Sequence, residues 1–213
     1  MDVRELKPRL WYWTARHPEW TPDDGGDDGW EQEVGSYAYV PPDVSAFVLI
    51  DPLVPDDDGG ALWRALDDDV RHHGPPQVLI TVPWHWRSSQ AILDRYPGTR
   101  VWAHAPAREE LEEWTTVTNG FQVGDELPGG IEAHAAGGSA HEVVYRIPEH
   151  AAVAVGDSLI ARPGEGVRVW PDEESVRPAL RALLRHPVEL LLLTHGKPVL
   201  ADGGGALARA LEE

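Results

Sequence analysis

ITVPWHWRSSQ, residues Ile80 to Gln90, decides how the rest of the chain is read. Val78-Leu79-Ile80 is an apolar run of strand type that stops at Thr81, and Ser88 or Ser89 is placed to cap a helix running to about Tyr96. Between them stand Trp84, His85, Trp86 and Arg87. Loops at strand ends are where sheet-based enzymes gather their ligands. A single histidine between two tryptophans therefore reads as an active site, the remnant of one, or a packed corner.

Outward from this loop the pattern is regular. Upstream, Arg9 to Ala15, Glu33 to Val40 and Ser45 to Pro52 read as strands, and Gly60 to His73 has helical spacing with Leu62, Leu66 and Val70 on one face. Downstream come a short strand at Arg100 to Ala103 and a helix at Arg108 to Trp114. A strand-rich stretch follows: Phe121 to Val123, Gly130 to Ala135, Glu142 to Ile147 and Ala151 to Val155, the last ending in Gly156-Asp157. Glu173 to Arg185 reads as a helix with Val176, Leu180, Leu183 and Leu184 inward. Glu189 to Leu193 is a buried strand ending in Thr194-His195-Gly196, and Ala206 to Leu211 a helix behind a loop of three glycines, Gly203 to Gly205. The order suits two sheets packed face to face with helices outside, each half of the chain supplying one sheet.

Composition limits the partners. At 213 residues and 42% hydrophobic content the chain supports one domain, 1–213, with a full core. The net charge of −18, much of it in Asp23–Asp28, Asp56–Asp58 and Asp67–Asp69, argues against nucleic acid and anionic membranes, which need basic patches. No apolar run is long enough to span a membrane, and the N-terminus has no signal-like apolar region. The absence of cysteine fits a reducing compartment, so the expected location is cytoplasmic. A small-molecule ligand or substrate is the expected partner.

Four apolar strands end in a chemically capable residue: Asp51, the Thr81–His85 loop, Asp157 and His195. Asp and neutral His are the usual oxygen and nitrogen ligands of zinc and related metals. Any one of these positions is more often a turn or structural residue; the four in order carry more weight.

In that order they resemble the metallo-β-lactamase-fold hydrolases over nearly the whole chain. Val48-Leu49-Ile50-Asp51-Pro52 is similar to that family's early strand ending in aspartate. Val78 to Thr81 resembles the strand before its metal-binding loop. Val143 to His150 through Ala154-Val155-Gly156-Asp157 resembles the hairpin that delivers its bridging aspartate. Leu192 to Gly196 resembles the late strand with its last histidine. The resemblance implies an α+β fold, a four-layer αββα sandwich with its site along one edge of the two sheets. It also implies a His-x-His-x-Asp-His loop after Thr81, and there Val82, Trp84, Trp86 and Arg87 stand in the four ligand slots. A slip of one residue puts His85 in the second histidine slot and Pro83, Arg87 and Ser88 in the others. The slot of the next ligand falls near Gly137, flanked by His134 and His141. Asp157 and His195 match in register.

The two-metal centre of that family is therefore not expected. Two readings stay open. The first is an eroded, at most mononuclear hydrolase of esters, lactones or thioesters. It would hold one zinc, iron or manganese ion on His85, Asp157 and His195, with His141 as a fourth ligand or in place of His85. The second is a non-catalytic relative without metal, binding a small molecule or a protein partner in the same cleft. In that reading Arg87 pairs with Asp157, Trp84 and Trp86 fill the vacated volume or form an aromatic pocket, and Arg87 is available to a carboxylate or phosphate.

Overall fold

A computed structural model describes residues 3–26, 29–42, 46–55, 59–170 and 174–212. Asp27, Asp28, Ser45, Asp56–Asp58 and Glu173, which figure in the sequence reading, lie outside the described residues. The strands are β1 (Arg4–Lys7), β2 (Leu10–Arg16), β3 (Glu33–Tyr39), β4 (Phe47–Ile50), β5 (Pro76–Leu79), β6 (Arg100–His104), β7 (Asn119–Phe121), β8 (Glu126–Leu127), β9 (Ile131–Ala135), β10 (Val143–Ile147), β11 (Ala152–Arg162), β12 (Gly166–Val169) and β13 (Leu190–His195). The helices are α1 (Gly59–His73), α2 (Ser89–Arg95), α3 (Arg108–Leu111), α4 (Val176–Leu183) and α5 (Gly203–Ala210). No helix among the described residues is long and apolar enough to cross a membrane.

Three separate cores define the layers. One, built on Tyr37, Tyr39, Ile50, Leu79, Tyr145, Ala154 and Leu192, lies between the two halves of the sheet. A second, with Trp13, Leu49, Leu62, Leu66, Val78 and Ile92, seals the first half-sheet under α1 and α2. A third, with Val153, Val155, Leu180, Leu183, Leu191, Leu193 and Leu207, seals the second under α4 and α5. Alternation explains the division: Leu190 and Leu192 face the inner core while Leu191 and Leu193 face the helices. The result is the expected αββα sandwich.

Hydrogen bonding runs in the order β7-β6-β5-β4-β3-β13-β11-β10-β9-β8, with β2 on β3, β1 on β2 and β12 on β11. Among the described residues the strand ladders of the two halves meet at one pair, His195 of β13 with Val34 of β3. Strand β4 covers only Tyr37 to Tyr39 of β3, so β13 takes up the same edge beyond the end of β4. That handover brings the residue after β4, Asp51, to the end of β13, where the Thr194 hydroxyl donates to Asp51 Oδ2 at 3.3 Å. β4, β5 and β6 are parallel, as are β11 and β13, so the C-terminal ends within each set share an edge.

Several boundaries differ from the sequence reading. β11 does not stop at Asp157 but runs on to Arg162 and returns as β12, which was not anticipated. Its pairing with β13 breaks between Val155 and Ile160, and this irregularity carries Asp157 out of the regular ladder. Leu184 lies past the end of α4 and is 37% exposed rather than inward. Gly203 to Gly205 form the first turn of α5 instead of a loop. Asp202 caps it by accepting from the Gly205 N–H, and a side chain at Gly203 would crowd the Glu189–Leu190 backbone at 3.0 Å. Ser88 does not cap α2 through its side chain; its hydroxyl accepts the Val54 N–H instead.

Candidate metal centre

The loop after Thr81 folds into a tight 3-10 turn, Pro83–Trp86, and this sorts its side chains. His85 points inward and is 3% exposed. Trp84 points outward, 48% exposed, yet its indole Nε1–H donates to Asp157 Oδ2 at 2.6 Å. Trp86 stacks on Trp114, ring centroids 5.6 Å apart, and lines a cavity together with Trp84. It is a packing residue against the outer core.

Arg87 ends the turn at φ 39, a conformation unfavourable for a residue with a Cβ. Its Nη1 donates to the carbonyls of Gly35 (3.0 Å) and Asp51 (2.9 Å), while Nε and Nη2 are buried without a partner among the described residues. The expected pairing of Arg87 with Asp157 is therefore corrected. The hydrogen-bond partners of the Asp157 carboxylate are His85, His195 and Trp84.

At the centre, His85 Nε2 lies 3.2 Å and His195 Nε2 3.0 Å from the same oxygen, Asp157 Oδ1. One ligand atom from each of the three residues lies within 4.8 Å of the others. Behind His85, Nδ1 meets Asp51 Oδ2 at 3.0 Å and Thr81 Oγ1 at 3.1 Å. Asp51 is fully enclosed. It also accepts the Thr81 N–H (2.9 Å), the Thr81 hydroxyl (2.5 Å) and the Thr194 hydroxyl (3.3 Å). A carboxylate fixing the far nitrogen of an imidazole is the usual outer support of a metal-ligating histidine. His195 has no such support: its Nδ1 is buried without a partner among the described residues, and its ring packs between Trp30 and Trp170.

The electrostatics follow from this packing. Burial alone would raise Asp157 and Asp51, but the charge of His85 and the hydrogen bonds to both outweigh it and hold both below the ordinary carboxylate range. His85 is pulled the other way. Burial and Arg87 lower it, and the two flanking carboxylates raise it above the ordinary histidine value. His195 is lowered, chiefly by burial. His17, close enough to feel Arg87, His85 and His195, is lowered to about 4 by burial and then by those charges, so it is neutral at physiological pH.

His141 does not join the cluster. Its Nδ1 pairs with Glu110 Oε2 at 2.9 Å, and its side chain is 40% exposed. The fourth-ligand role expected of it is not supported by this geometry. His134 pairs with Glu132 and packs on His186, also away from the cluster.

The residue that sequence reasoning passed over is Glu142, the neighbour of His141. It is buried, and its Oε1 accepts the backbone N–H of both Asp157 (3.0 Å) and Ser158 (2.9 Å), pinning the irregular part of β11. Across from it, Gly156 lets the strand close in: a Cβ there would meet Thr81 Oγ1 at 2.6 Å. Burial pushes Glu142 up to about 7, with the Asp157 charge adding to the rise and His85 opposing it. A carboxyl whose folded pKa is raised contributes stability that is present below its unfolded value and lost as pH climbs through the folded one. From 4.5 to about 7, at ~1.4 kcal/mol per unit, that loss is about 3 kcal/mol. Glu142→Gln keeps the acceptor oxygen without the charge. It should therefore match the parent in thermal stability near pH 4.5 and exceed it at pH 8; an equal gap at both pH values would contradict the assignment.

Two cavities lie next to neighbours of the cluster, and neither is lined by His85, Asp157 or His195. One, of about 260 Å³, is lined by Arg16, His17, Leu53, Trp84, Trp86 and Arg87 among others. The other, of about 1070 Å³, opens between β2 and the β11–β12 hairpin and is lined by Tyr12, Glu33, Arg162 and Lys197 among others.

No protein-family model matches the sequence, and no curated protein is similar to it. Solved structures are. A metallo-beta-lactamase from Pontibacter korlensis superposes with a TM-score of 0.71 at 14% identity, covering 100% of this chain and 99% of that one. One from Erythrobacter litoralis, with beta mercaptoethanol in its active site, gives 0.70 at 14% identity, covering 99% and 94%. FIM-1 from Pseudomonas aeruginosa, in its mono-zinc form, gives 0.68 at 14% identity, again covering 99% and 94%. With its layers, its strand-end residues and these superpositions taken together, the chain has the metallo-β-lactamase fold.

Proposed function

We propose that the protein is a single-metal hydrolase of the ester, lactone or thioester class, with His85, Asp157 and His195 as its metal ligands. The observation that carries this reading is the convergence of these three ligand atoms, together with the Asp51 carboxylate behind His85. Two imidazoles and one carboxylate form a donor set suited to zinc, iron or manganese. A bound ion would supply Lewis acidity for activating water and polarising a carbonyl. The chain's own residues do the rest. Asp51 fixes the ring of His85, Glu142 fixes the backbone of Asp157, and Trp84 occupies Asp157 Oδ2, leaving Oδ1 toward the histidines. To act as a ligand, His85 must release the proton that Asp51 and Asp157 favour, so metal affinity falls as pH drops.

A second reading rests on charge. Asp51, Asp157, Arg87 and a protonated His85 sum to zero, so the cluster is also a charge-balanced network in a binding protein without metal. Metal analysis of untagged protein purified without chelators separates the two. About one ion per chain, lost in Asp157→Ala together with hydrolysis of 4-nitrophenyl esters, lactones or acyl thioesters, is the expected result for three-ligand coordination. Folded protein with no metal and no activity on that panel would establish the network reading instead.

A further inference from the structure

Against Trp84 the smaller cavity combines features that the metal cluster does not use. Its volume of about 260 Å³ equals roughly nine waters at ~30 Å³ each, room for a fragment of about ten heavy atoms. Its walls are mostly apolar, from Pro18, Leu53, Val54, Pro55, Trp84 and Trp86. Two arginines line it as well, in a chain whose net charge is −18. Arg87 is 8% exposed, its guanidinium is held by two backbone carbonyls, and its other two nitrogens are enclosed, so it contributes a fixed positive charge behind the wall. Arg16 is exposed and its side chain has no ion pair or hydrogen bond among the described residues; the opposing charge in the lining is Glu19. The indole of Trp84 forms part of the wall and also touches Asp157, so an occupant of the cavity rests against a side chain that contacts the cluster.

We infer that this cavity binds a small aromatic or apolar carboxylate, its body against Trp84 and Trp86 and its carboxylate toward Arg16, with the buried Arg87 charge behind. Aromatic walls favour a flat apolar group, and an arginine without an ion pair favours a planar oxyanion. The inference deepens the hydrolase reading by naming the class of molecule handled, but the binding itself needs no metal.

The test therefore uses metal-free protein and phenylacetate as the probe, followed by tryptophan fluorescence and calorimetry. Phenylacetate is expected to bind at least about tenfold more tightly than phenylacetamide, which lacks the charge, or acetate, which lacks the ring; tenfold corresponds to about 1.4 kcal/mol. Arg16→Gln and Trp84→Phe should each weaken it by about tenfold, while Lys197→Gln, in the other cleft, should leave it unchanged. Equal binding of the amide, no effect of Arg16→Gln, or no saturation by about 10 mM phenylacetate would overturn the inference. Because no metal is present, these outcomes stand apart from the metal and hydrolysis assays: either reading can fail while the other survives.

Discussion

Asp51→Ala is expected to be among the most damaging single substitutions in this chain, costing about 3–5 kcal/mol of folding stability. The side chain is 1% exposed and accepts from the Thr81 N–H, the Thr81 and Thr194 hydroxyls and His85 Nδ1. Its removal leaves a buried His85 and a buried Arg87 without their nearest compensating charge, and breaking one side of a buried pair is far worse than never having built it. Alanine is also a poor residue at this backbone position, whose φ of 46 is left-handed and better tolerated by Asp or Asn. For a chain of this size the loss corresponds to a fall in melting temperature of roughly 10 °C. Asp51→Asn retains an acceptor oxygen and the backbone tolerance while removing the charge. It should fold, lose less stability, and bind metal about 10–100-fold more weakly, as expected when a histidine ligand loses its outer carboxylate. Denaturant melts and metal titrations of both variants check this. A loss below about 1 kcal/mol for Asp51→Ala would mean that the network does not hold the site together.

The layers were legible in the sequence because apolar periodicity reports burial directly. Val48 to Ile50, Val78 to Ile80, Ala152 to Val155 and Leu190 to Leu193 are apolar on both faces, as strands covered by a second sheet on one side and helices on the other must be. The polar residue at the end of each such strand was legible for the same reason, since it marks where burial stops. What the sequence did not reveal is direction. Nothing in PWHW says that a 3-10 turn will send His85 inward, Trp84 onto Asp157 and Trp86 onto Trp114. Alignment of the loop on a His-x-His-x-Asp-His pattern offered either no ligand or one, whereas the turn places His85, a candidate ligand, at the position between two of the pattern's slots. Arg87 was read by charge as a partner for Asp157, but backbone carbonyls of Gly35 and Asp51, distant in sequence, capture it first. Glu142 escaped notice because its role is to bind the backbone of β11, and no residue pattern records where an irregular strand needs its amides satisfied.

A related position lies at the end of β13. Gly196 follows His195 with φ 101, and a Cβ built there would clash with the backbone oxygen of Ala161 on β11. Two costs then add in Gly196→Ala. A left-handed conformation costs a non-glycine residue ~1–3 kcal/mol. Relieving a clash with a backbone atom requires the strands to part, and overpacking of that kind costs about 1–3 kcal/mol more. The affected pair is the one that sets the site, because Ile160 of β11 pairs with His195 itself just past the irregularity that presents Asp157. Gly196→Ala should therefore lower stability by about 2–6 kcal/mol and separate His195 from Asp157, so that the surviving folded protein binds metal more weakly at temperatures well below its melting point. Gly60→Ala serves as the contrasting substitution. It lies in the exposed first turn of α1, where the nearest atom to a new Cβ is Arg64 Nη1 at 3.6 Å. In a helix, alanine in place of glycine should stabilise by up to about 1 kcal/mol and leave metal binding untouched. Equal melting temperatures for the two alanine variants would show that the β11–β13 contact yields easily, and would remove the steric basis for a fixed His195.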